Sequence, residues 1–173
     1  SEYYGGQIPW IKSGELKNNF LSESEEKISE KGLSESSAKL FPKNTLLIAM
    51  YGVTIGKTAI LEKEATTNQA ICAILPNTNF DSFYLQQLLI SMKNILISFG
   101  MGAGQPNINQ EITKTLHIPL PPLSEQQKIA TILSNVDNLI ESTVQVITHS
   151  KKVKTGLMQK LLTRGIGHVT FKK

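Results

Sequence analysis

The chain has 173 residues, a formal net charge of +4 and 40% hydrophobic residues. That length allows one ordinary domain plus an appended element, and no apolar run is long enough to cross a membrane as a helix. Because Cys72 is the only cysteine, an internal disulfide is excluded. Nothing at the N-terminus resembles a signal peptide, so we expect a cytoplasmic protein.

The charge is distributed unevenly. No acidic residue follows Glu141, whereas seven lysines and arginines do. A basic end suits phosphates or an anionic membrane, but it also keeps a helix soluble and complements the C-terminal end of the helix dipole. Charge alone does not decide between these roles.

The first part of the chain predicts short strands separated by turns. Gly5 and Gly6 predict a turn, residues 7–12 alternate like a strand, and residues 13–16 end it. Trp10 in that strand is a core anchor by default and a ligand or base contact as the alternative.

The middle of the chain completes a mixed α+β fold class. Expected elements are a short strand or helix over 25–31 with a turn at Gly32, a turn at 41–44, strands at 45–50, 56–61 and 70–75, a helix over 81–98, and a short helix near 109–113. The apolar run at 45–50 indicates a strand that is buried on both faces.

A proline-rich segment and one long helix complete the chain. Three prolines make residues 117–123 extended. Ser124 and Gln127 predict a capping box, and Leu123, just before it, predicts a hydrophobic staple. Gly165 follows a basic last turn and marks the end. The helix would be about 60 Å long, which is too long for one helix of a small compact domain.

The long helix carries an apolar stripe, because hydrophobic residues recur every seven positions in adjacent rows. The stripe is polar in its middle, at Thr143 and Ser150. An exposed stripe this wide favours association with other helices. The residues expected to drive association are Ile129, Leu133, Val136, Ile140, Ile147, Leu157 and Leu161.

Two glycine-containing segments look like nucleotide-binding motifs, but neither matches its motif in full. Residues 52–58 are one residue short of a phosphate-binding loop, and Tyr51 stands where its first glycine belongs, so a β-turn with Lys57 exposed fits better. Residues 100–104 lack the third glycine of a dinucleotide fingerprint. They are either a flexible connection or a surface that touches nucleic acid.

The sequence offers no set of residues for catalysis. The three histidines lie far apart, no Cys/His cluster has metal-ligand spacing, and we expect no metal and no cofactor. Residues 66–69 are polar ahead of a buried strand, where a structural turn is at least as good an interpretation as a contact. The outline is a recognition module positioned by a spacer.

Six stretches spread over nearly the whole chain are familiar in combination. They are Tyr4-Gly5-Gly6-x-Ile8-Pro9-Trp10-Ile11, Gly14-Glu15-Leu16, Tyr51-Gly52-x-Thr54-Ile55-Gly56-Lys57, Thr67-Asn68-Gln69-Ala70, Ile118-Pro119-x-Pro121-Pro122-Leu123-x-Glu125-Gln126-Gln127-Lys128-Ile129-Ala130 and Gly156-Leu157-Met158-Gln159-Lys160-Leu161-Leu162-Thr163. Together they resemble type I restriction–modification DNA specificity subunits, and the stretch from Ile118 to Ala130, which resembles the family's entry into its spacer helix, is the most specific.

The resemblance implies a division of labour. Such subunits carry two halves, each a target recognition domain with a long helix, and the two helices pack antiparallel and set the distance between the half-sites of a split double-stranded DNA target. Methylation subunits bind the helices and methylate adenine, and a restriction subunit cuts DNA. The specificity subunit has no chemistry of its own, and no membrane is involved.

On this basis we expect a target recognition domain at 1–118, a hinge at 119–123, a spacer helix at 124–165 and a basic tail at 166–173. The candidate DNA contacts are loop residues with hydrogen-bond donors and no evident packing role. They are Lys12, Ser13, Lys57, Gln105 and Asn107.

Only one half of the family pattern is present, so the chain is either a fragment or a half-size form that dimerises through the helix. The competing class is a coiled-coil assembly protein whose globular part binds protein. A third alternative is a fragment of a DNA methyltransferase. The absence of an Asn/Asp-Pro-Pro-aromatic tetrapeptide argues against it.

Overall fold

The computed structural model describes residues 2–99, 108 and 110–167. The described part of the chain contains seven strands, five α-helices and one 3₁₀ turn at Ser13–Glu15. The strands are β1 (Tyr4–Ile11), β2 (Asn19–Leu21), β3 (Lys27–Ile28), β4 (Leu46–Ala49), β5 (Thr58–Leu61), β6 (Thr66–Thr67) and β7 (Ile71–Ile74). The helices are α1 (Glu30–Ser34), α2 (Ser82–Ser91), α3 (Lys93–Phe99), α4 (Gln110–Thr115) and α5 (Leu123–Arg164). The predicted α+β class with one long helix is confirmed.

The strands form two small sheets. One has the order β3-β1-β6, with β1 antiparallel to β3 and parallel to β6. The other has the order β2-β5-β4-β7, in which β2 and β5 are parallel and the remaining pairs are antiparallel. Ile48 at the centre of the second sheet lies opposite Thr58 on one side and Cys72 on the other.

The core lies on both faces of β4. Successive side chains of a strand point to opposite faces, so Leu47 and Ala49 enter one hydrophobic cluster with Ile11 and Leu16. Leu46 and Ile48 enter a second cluster with the helical residues Leu85, Leu89 and Leu96. Burial on both faces explains why the strand is a continuous apolar run, as the sequence predicted.

Two glycines predicted as turns have other roles. Gly5 lies inside β1 with φ +77°, where both Tyr4 and Ile8 oppose Ile28 across an irregularity of the pairing. Gly32 lies inside α1, where a β-carbon would overlap the Tyr3 carbonyl oxygen just before the first strand. The predictions of turns at these positions are wrong, because Gly5 supplies a positive φ within a strand and Gly32 allows a close backbone approach within a helix.

The predicted helix over 81–98 is two helices. Met92 separates α2 from α3 with φ −91° and ψ 7°, and its N–H donates to the Leu88 carbonyl. Its own carbonyl accepts from Leu96. Since no proline or glycine stands there, the sequence carries no signal for the break.

The long helix runs from Leu123 to Arg164 without interruption. The Pro122 carbonyl accepts from the N–H groups of Glu125 and Gln126 at 2.8 and 3.1 Å, so Ser124 lies inside the first turn and is not the cap that was predicted. The predicted end is confirmed, because Gly165 has φ +66° and donates to the Leu161 carbonyl at 2.9 Å.

The chain divides into two compact units, Ser1–Ala130 and Thr131–Lys173. The first contains both sheets, the short helices and the first two turns of α5. The second contains the remainder of α5, whose side chains are exposed except for a partly covered Ser134. None of the helices in the described residues has the length and apolar character needed to cross a bilayer.

Candidate nucleic-acid interface

Lys12 follows the last residue of β1 and is held by acidic partners. Its Nζ forms an ion pair with Glu26 and stands 5.8 Å from the centroid of the Trp10 ring. The hydrogen bond to Glu26 raises the pKa of Lys12 above its ordinary value. The sequence prediction treated Lys12 as a donor without a packing role, but its charge is already matched, so a phosphate would have to compete with Glu26.

Ser13 begins the 3₁₀ turn that Glu15 stabilises. One oxygen of the Glu15 carboxylate accepts from the Lys12 N–H at 2.8 Å and from the Ser24 hydroxyl at 3.0 Å, and the other accepts from the Glu25 N–H at 3.2 Å. These bonds fix the backbone on both sides of Ser13. The position of Ser13 is therefore set by the fold and not by its own side chain.

Lys57 belongs to the turn-rich loop between β4 and β5. Gly52 and Gly56 have φ of +79° and +71°, and the Lys57 N–H donates to the Thr54 carbonyl at 2.8 Å. A strand follows this loop, so it lacks the helix that a phosphate-binding loop opens. Lys57 is half-buried, in contrast to the predicted exposure.

The same loop presents two further side chains. Val53, at its tip, is fully exposed. The aliphatic stem of Lys93 lies beside Gly56, where a β-carbon would stand 3.1 Å from the lysine Cγ. A second lysine from α3 therefore joins Lys57 at this loop.

Three segments that are far apart in the sequence meet around Met50. The Met50 N–H donates to the Ala70 carbonyl, and the Met50 carbonyl accepts from the Ile108 N–H, both at 2.8 Å. The turn before Ala70 is tied to the end of β1, since the Asn68 N–H donates to the Ile11 carbonyl at 3.0 Å. The loop of Lys57, the turn that follows β6 and the residue that follows the glycine-rich segment are thus neighbours.

The glycine-rich segment itself, with the predicted contacts Gln105 and Asn107, lies outside the described residues. Among the predicted contacts that are described, Lys12 and Ser13 directly follow β1, and Lys57 lies on the β4–β5 loop.

A cleft of about 570 Å³ opens beside this meeting point. Tyr3, Tyr4, Trp10 and Phe41 supply aromatic surface, and Asn68 and Gln69 add amide groups. Tyr4 and Trp10 meet edge to face with centroids 5.8 Å apart. Aromatic faces stack on bases and amides bond to base edges and phosphates, so the lining suits nucleic acid.

The cleft bears on two alternatives that the sequence left open. Trp10 is half-buried and lines the cleft, so it does not act as a core anchor. Asn68 serves as both turn and lining residue, because its Oδ1 accepts from the Ala70 N–H at 3.2 Å. Sequence reasoning missed Tyr3, Tyr4 and Met50. The only available signal was the clustering of aromatic residues in and before one strand.

The described residues contain no group of three or more His, Cys, Asp or Glu side chains that could hold a metal ion. Burial raises the pKa of the Cys72 thiol, although a hydrogen bond to Thr113 and the charge of Lys114 oppose the shift. A thiol held in its neutral form is a poor nucleophile. The arrangement around the cleft is equipped for binding.

The predicted association residues lie along one face of α5. Ile129 is half-buried near the end of the first unit, and the others are exposed. Exposure ranges from 37% at Leu133 to 57% at Ile140. At the polar middle of the stripe, the Thr143 hydroxyl donates to the Leu139 carbonyl at 2.8 Å, so burying it would leave no unsatisfied donor.

Residues 2–149 match the family described as the type I restriction modification DNA specificity domain. The chain belongs to this family. The resemblance inferred from the sequence is therefore confirmed over most of the chain.

Curated relatives are specificity subunits of type I restriction enzymes. The chain is 36% identical over 165 residues to the MjaIX specificity subunit of Methanocaldococcus jannaschii, covering 92% of this chain and 36% of the relative. It is 29% identical over 142 residues to the EcoR124I/EcoR124II specificity subunit of Escherichia coli, covering 79% and 35%. The chain spans little more than a third of the length of these relatives.

Solved structures share the fold. A chain from a type I restriction–modification assembly aligns with a TM-score of 0.74 at 18% identity, covering 95% of this chain and 40% of that one. The HsdS subunit from Thermoanaerobacter tengcongensis aligns with a TM-score of 0.66 at 17% identity, covering 92% and 39%.

Proposed function

We propose that this chain is a non-catalytic DNA-reading half of a type I specificity subunit, which recognises one half of a bipartite target in double-stranded DNA. Membership of the specificity-domain family carries the proposal. The aromatic and amide lining of the cleft supports it, because that chemistry suits bases and phosphates. We place this activity in the cytoplasm, where chromosomal DNA is accessible.

The proposed reading face includes Lys12, Ser13 and Lys57 together with the cleft. Gln105 and Asn107 are kept as candidate base contacts on the sequence argument alone. Lysines would position the phosphate backbone, whereas amide side chains would read base edges.

We propose that α5 sets the distance to a second reader and docks the methylation subunits, while a restriction subunit supplies cleavage. Its 42 residues correspond to about 63 Å, close to two turns of B-DNA. Its exposed stripe is suited to a second helix, supplied either by another specificity half or by a second copy of this chain.

Selection from a random duplex library tests DNA reading directly. The expected result is enrichment of one short sequence, which then binds in a gel shift. Lys57→Ala should lower the slope of log affinity against log salt by about one, while Gln105→Ala or Asn107→Ala should change base preference. Lys63→Ala is the charge-matched control, because Lys63 pairs with Glu23 on the surface.

The competing function is a coiled-coil assembly protein whose globular part binds protein. Its prediction is the opposite outcome: no duplex sequence is enriched, although the chain still associates through α5. Failure to enrich any sequence would remove the DNA-reading proposal, and an unchanged affinity in the Lys57, Gln105 and Asn107 variants would displace the reading face.

A further inference from the structure

Gln126, near the start of α5, has a fully buried side chain with 0% exposure. Its carbonyl oxygen accepts from the Asp81 N–H at 2.9 Å. Its amide nitrogen donates to the carbonyl oxygens of Asn79 and Pro121 at 3.1 and 2.8 Å. Both donors and one acceptor position of the amide are therefore used, by the segment before α2 on one side and by the proline-rich segment on the other.

The partners of Gln126 are themselves fixed. Asp81 caps α2, because its carboxylate accepts from the Phe83 and Tyr84 N–H groups at 3.0 and 2.9 Å. The Tyr84 hydroxyl donates to the Pro119 carbonyl at 3.0 Å. The first turn of α2 thus holds the proline-rich segment at Pro119 directly and at Pro121 through the Gln126 amide.

Gln126 is one of the two buried residues of α5. Ala130, one turn later on the same side, is buried at 8% exposure. The helix residues beyond it have mostly exposed side chains. Prolines lack the backbone N–H but keep the carbonyl acceptor, and Tyr84 and Gln126 supply the donors to two of these carbonyls.

We propose that Gln126 is a positioning residue that fixes the first two turns of α5, Leu123–Ala130, against the segment before α2 and the proline-rich segment. Its consequence for DNA rests on the proposed function: by anchoring the helix, Gln126 would limit which distances between two half-sites are accepted. From Gln126 to Arg164 the helix extends about 57 Å.

The chemistry of the site separates positioning from space filling. Gln126→Glu keeps the size of the side chain but replaces two donors with a carboxylate oxygen that faces the carbonyls of Asn79 and Pro121. Gln126→Ala removes the link altogether. Gln145→Ala is the matched control, because Gln145 is an exposed glutamine of the same helix outside the association stripe.

The first experiment measures the anchor without DNA. Spin labels at Glu64→Cys and Lys128→Cys, both exposed in the first unit, report the distance between the domain and the start of the helix. We expect one narrow distribution in the full chain and in the Gln145→Ala variant, and a broader one in the Gln126→Ala and Gln126→Glu variants. An unchanged distribution in folded Gln126 variants would overturn the inference.

A second variant covers the case in which Gln126 variants do not fold. Tyr84→Phe removes only the hydroxyl that bonds to Pro119 and leaves the Gln126 amide in place. We expect it to broaden the same distribution, though less than the Gln126 variants do. A distribution identical to that of the wild-type chain would count against the anchor.

The second experiment measures spacing on duplexes that carry two selected half-sites separated by variable gaps. The wild-type chain should prefer its best gap over a gap one base pair different by about tenfold, and Gln126→Glu should reduce this preference to about threefold or less with half-site affinity unchanged. A merely structural role would lower half-site affinity instead. If the wild-type chain selects no DNA sequence, the proposed function fails while the label distances still decide the role of Gln126.

Discussion

The two compact units use the same residue types for opposite purposes. Leu47 in the first unit is completely buried, and every residue of β4 and β5 is inaccessible to solvent. Leu139 in the second unit is 67% exposed, and its apolar neighbours along α5 are exposed to a similar degree. Burial of a leucine contributes about 1.5–3 kcal/mol, so the first unit already has this stabilisation and the second would acquire it only from a partner.

The difference shows where each unit takes its stability from. The first unit is held by two hydrophobic clusters on the faces of one sheet. The second is held by the backbone hydrogen bonds of a single helix, with hydroxyl groups such as those of Thr143 and Thr148 bonded to carbonyls four residues earlier. Truncating a leucine should therefore have different consequences in the two units.

The largest expected effect comes from Leu47→Ala. Loss of a side chain at the centre of the core should lower the free energy of unfolding of the first unit by about 3 kcal/mol. Urea denaturation followed through the fluorescence of Trp10, the only tryptophan, measures it. Leu139→Ala should leave that transition in place, and equal losses from the two changes would remove the contrast between the units.

The association stripe gives the next effect. Val136→Glu combined with Ile140→Glu should weaken helix association by about 100-fold, since each apolar side chain contributes about 1.5 kcal/mol or more. Sedimentation over a range of concentrations measures it. Asn138→Glu with Gln145→Glu adds the same charge outside the stripe and should have little effect. A wild-type chain that stays monomeric at high concentration would contradict the proposed homodimer.

A smaller effect is expected at the N-terminus of α2. Asp81→Ala removes the acceptor for the Phe83 and Tyr84 N–H groups and should cost about 1 kcal/mol. Thermal melting of the first unit would show the loss. Asp137→Ala, an exposed change in the middle of α5, should not shift that melting transition, and an equal shift would mean that the two units do not melt separately.

The smallest effect concerns Cys72, whose alkylation rate distinguishes unfolding of the first unit from changes in helix association. Burial raises the pKa of its thiol, so alkylation by iodoacetamide should be slow at neutral pH and accelerate only as the pH passes above the ordinary thiol value. Because the Cys72 thiol ionises at lower pH in the unfolded chain than in the folded one, the free energy of unfolding falls as the pH rises through the same range. Mass spectrometry of the alkylated protein measures the rate.

The matched variants sharpen this last measurement. Leu47→Ala should speed the alkylation of Cys72, because it destabilises the unit that shields the thiol. The Val136→Glu and Ile140→Glu pair should not change the rate. Fast alkylation of the wild-type chain at neutral pH would show that the thiol is not shielded.

Periodicity predicted the elements that local sequence controls. The apolar run around Leu47 indicated a strand buried on both faces, and the uninterrupted repeat before Gly165 indicated one long helix. It failed where long-range contacts decide. The irregularity at Gly5 depends on the pairing of β1 with β3, and the position of Gly32 inside a helix depends on the Tyr3 backbone that packs against it.

The candidate site was predictable only in part for the same reason. Polar loop residues such as Lys57 could be nominated from composition, but the ion pair of Lys12 with Glu26 joins residues that are distant in sequence. The cleft draws Tyr3, Phe41 and Asn68 from three separate segments. No local pattern encodes such a meeting.

The sequence by itself determined the family, the α+β class, the buried central strand and the length of α5, because each depends on residue order along one segment. Tertiary structure alone decided that Met50 joins the loops of the cleft and that Gln126 is buried against Asp81, Asn79 and Pro121. The physical reason is that a buried amide is stable only where its hydrogen bonds are satisfied, and the partners that satisfy these lie up to 47 residues away along the chain.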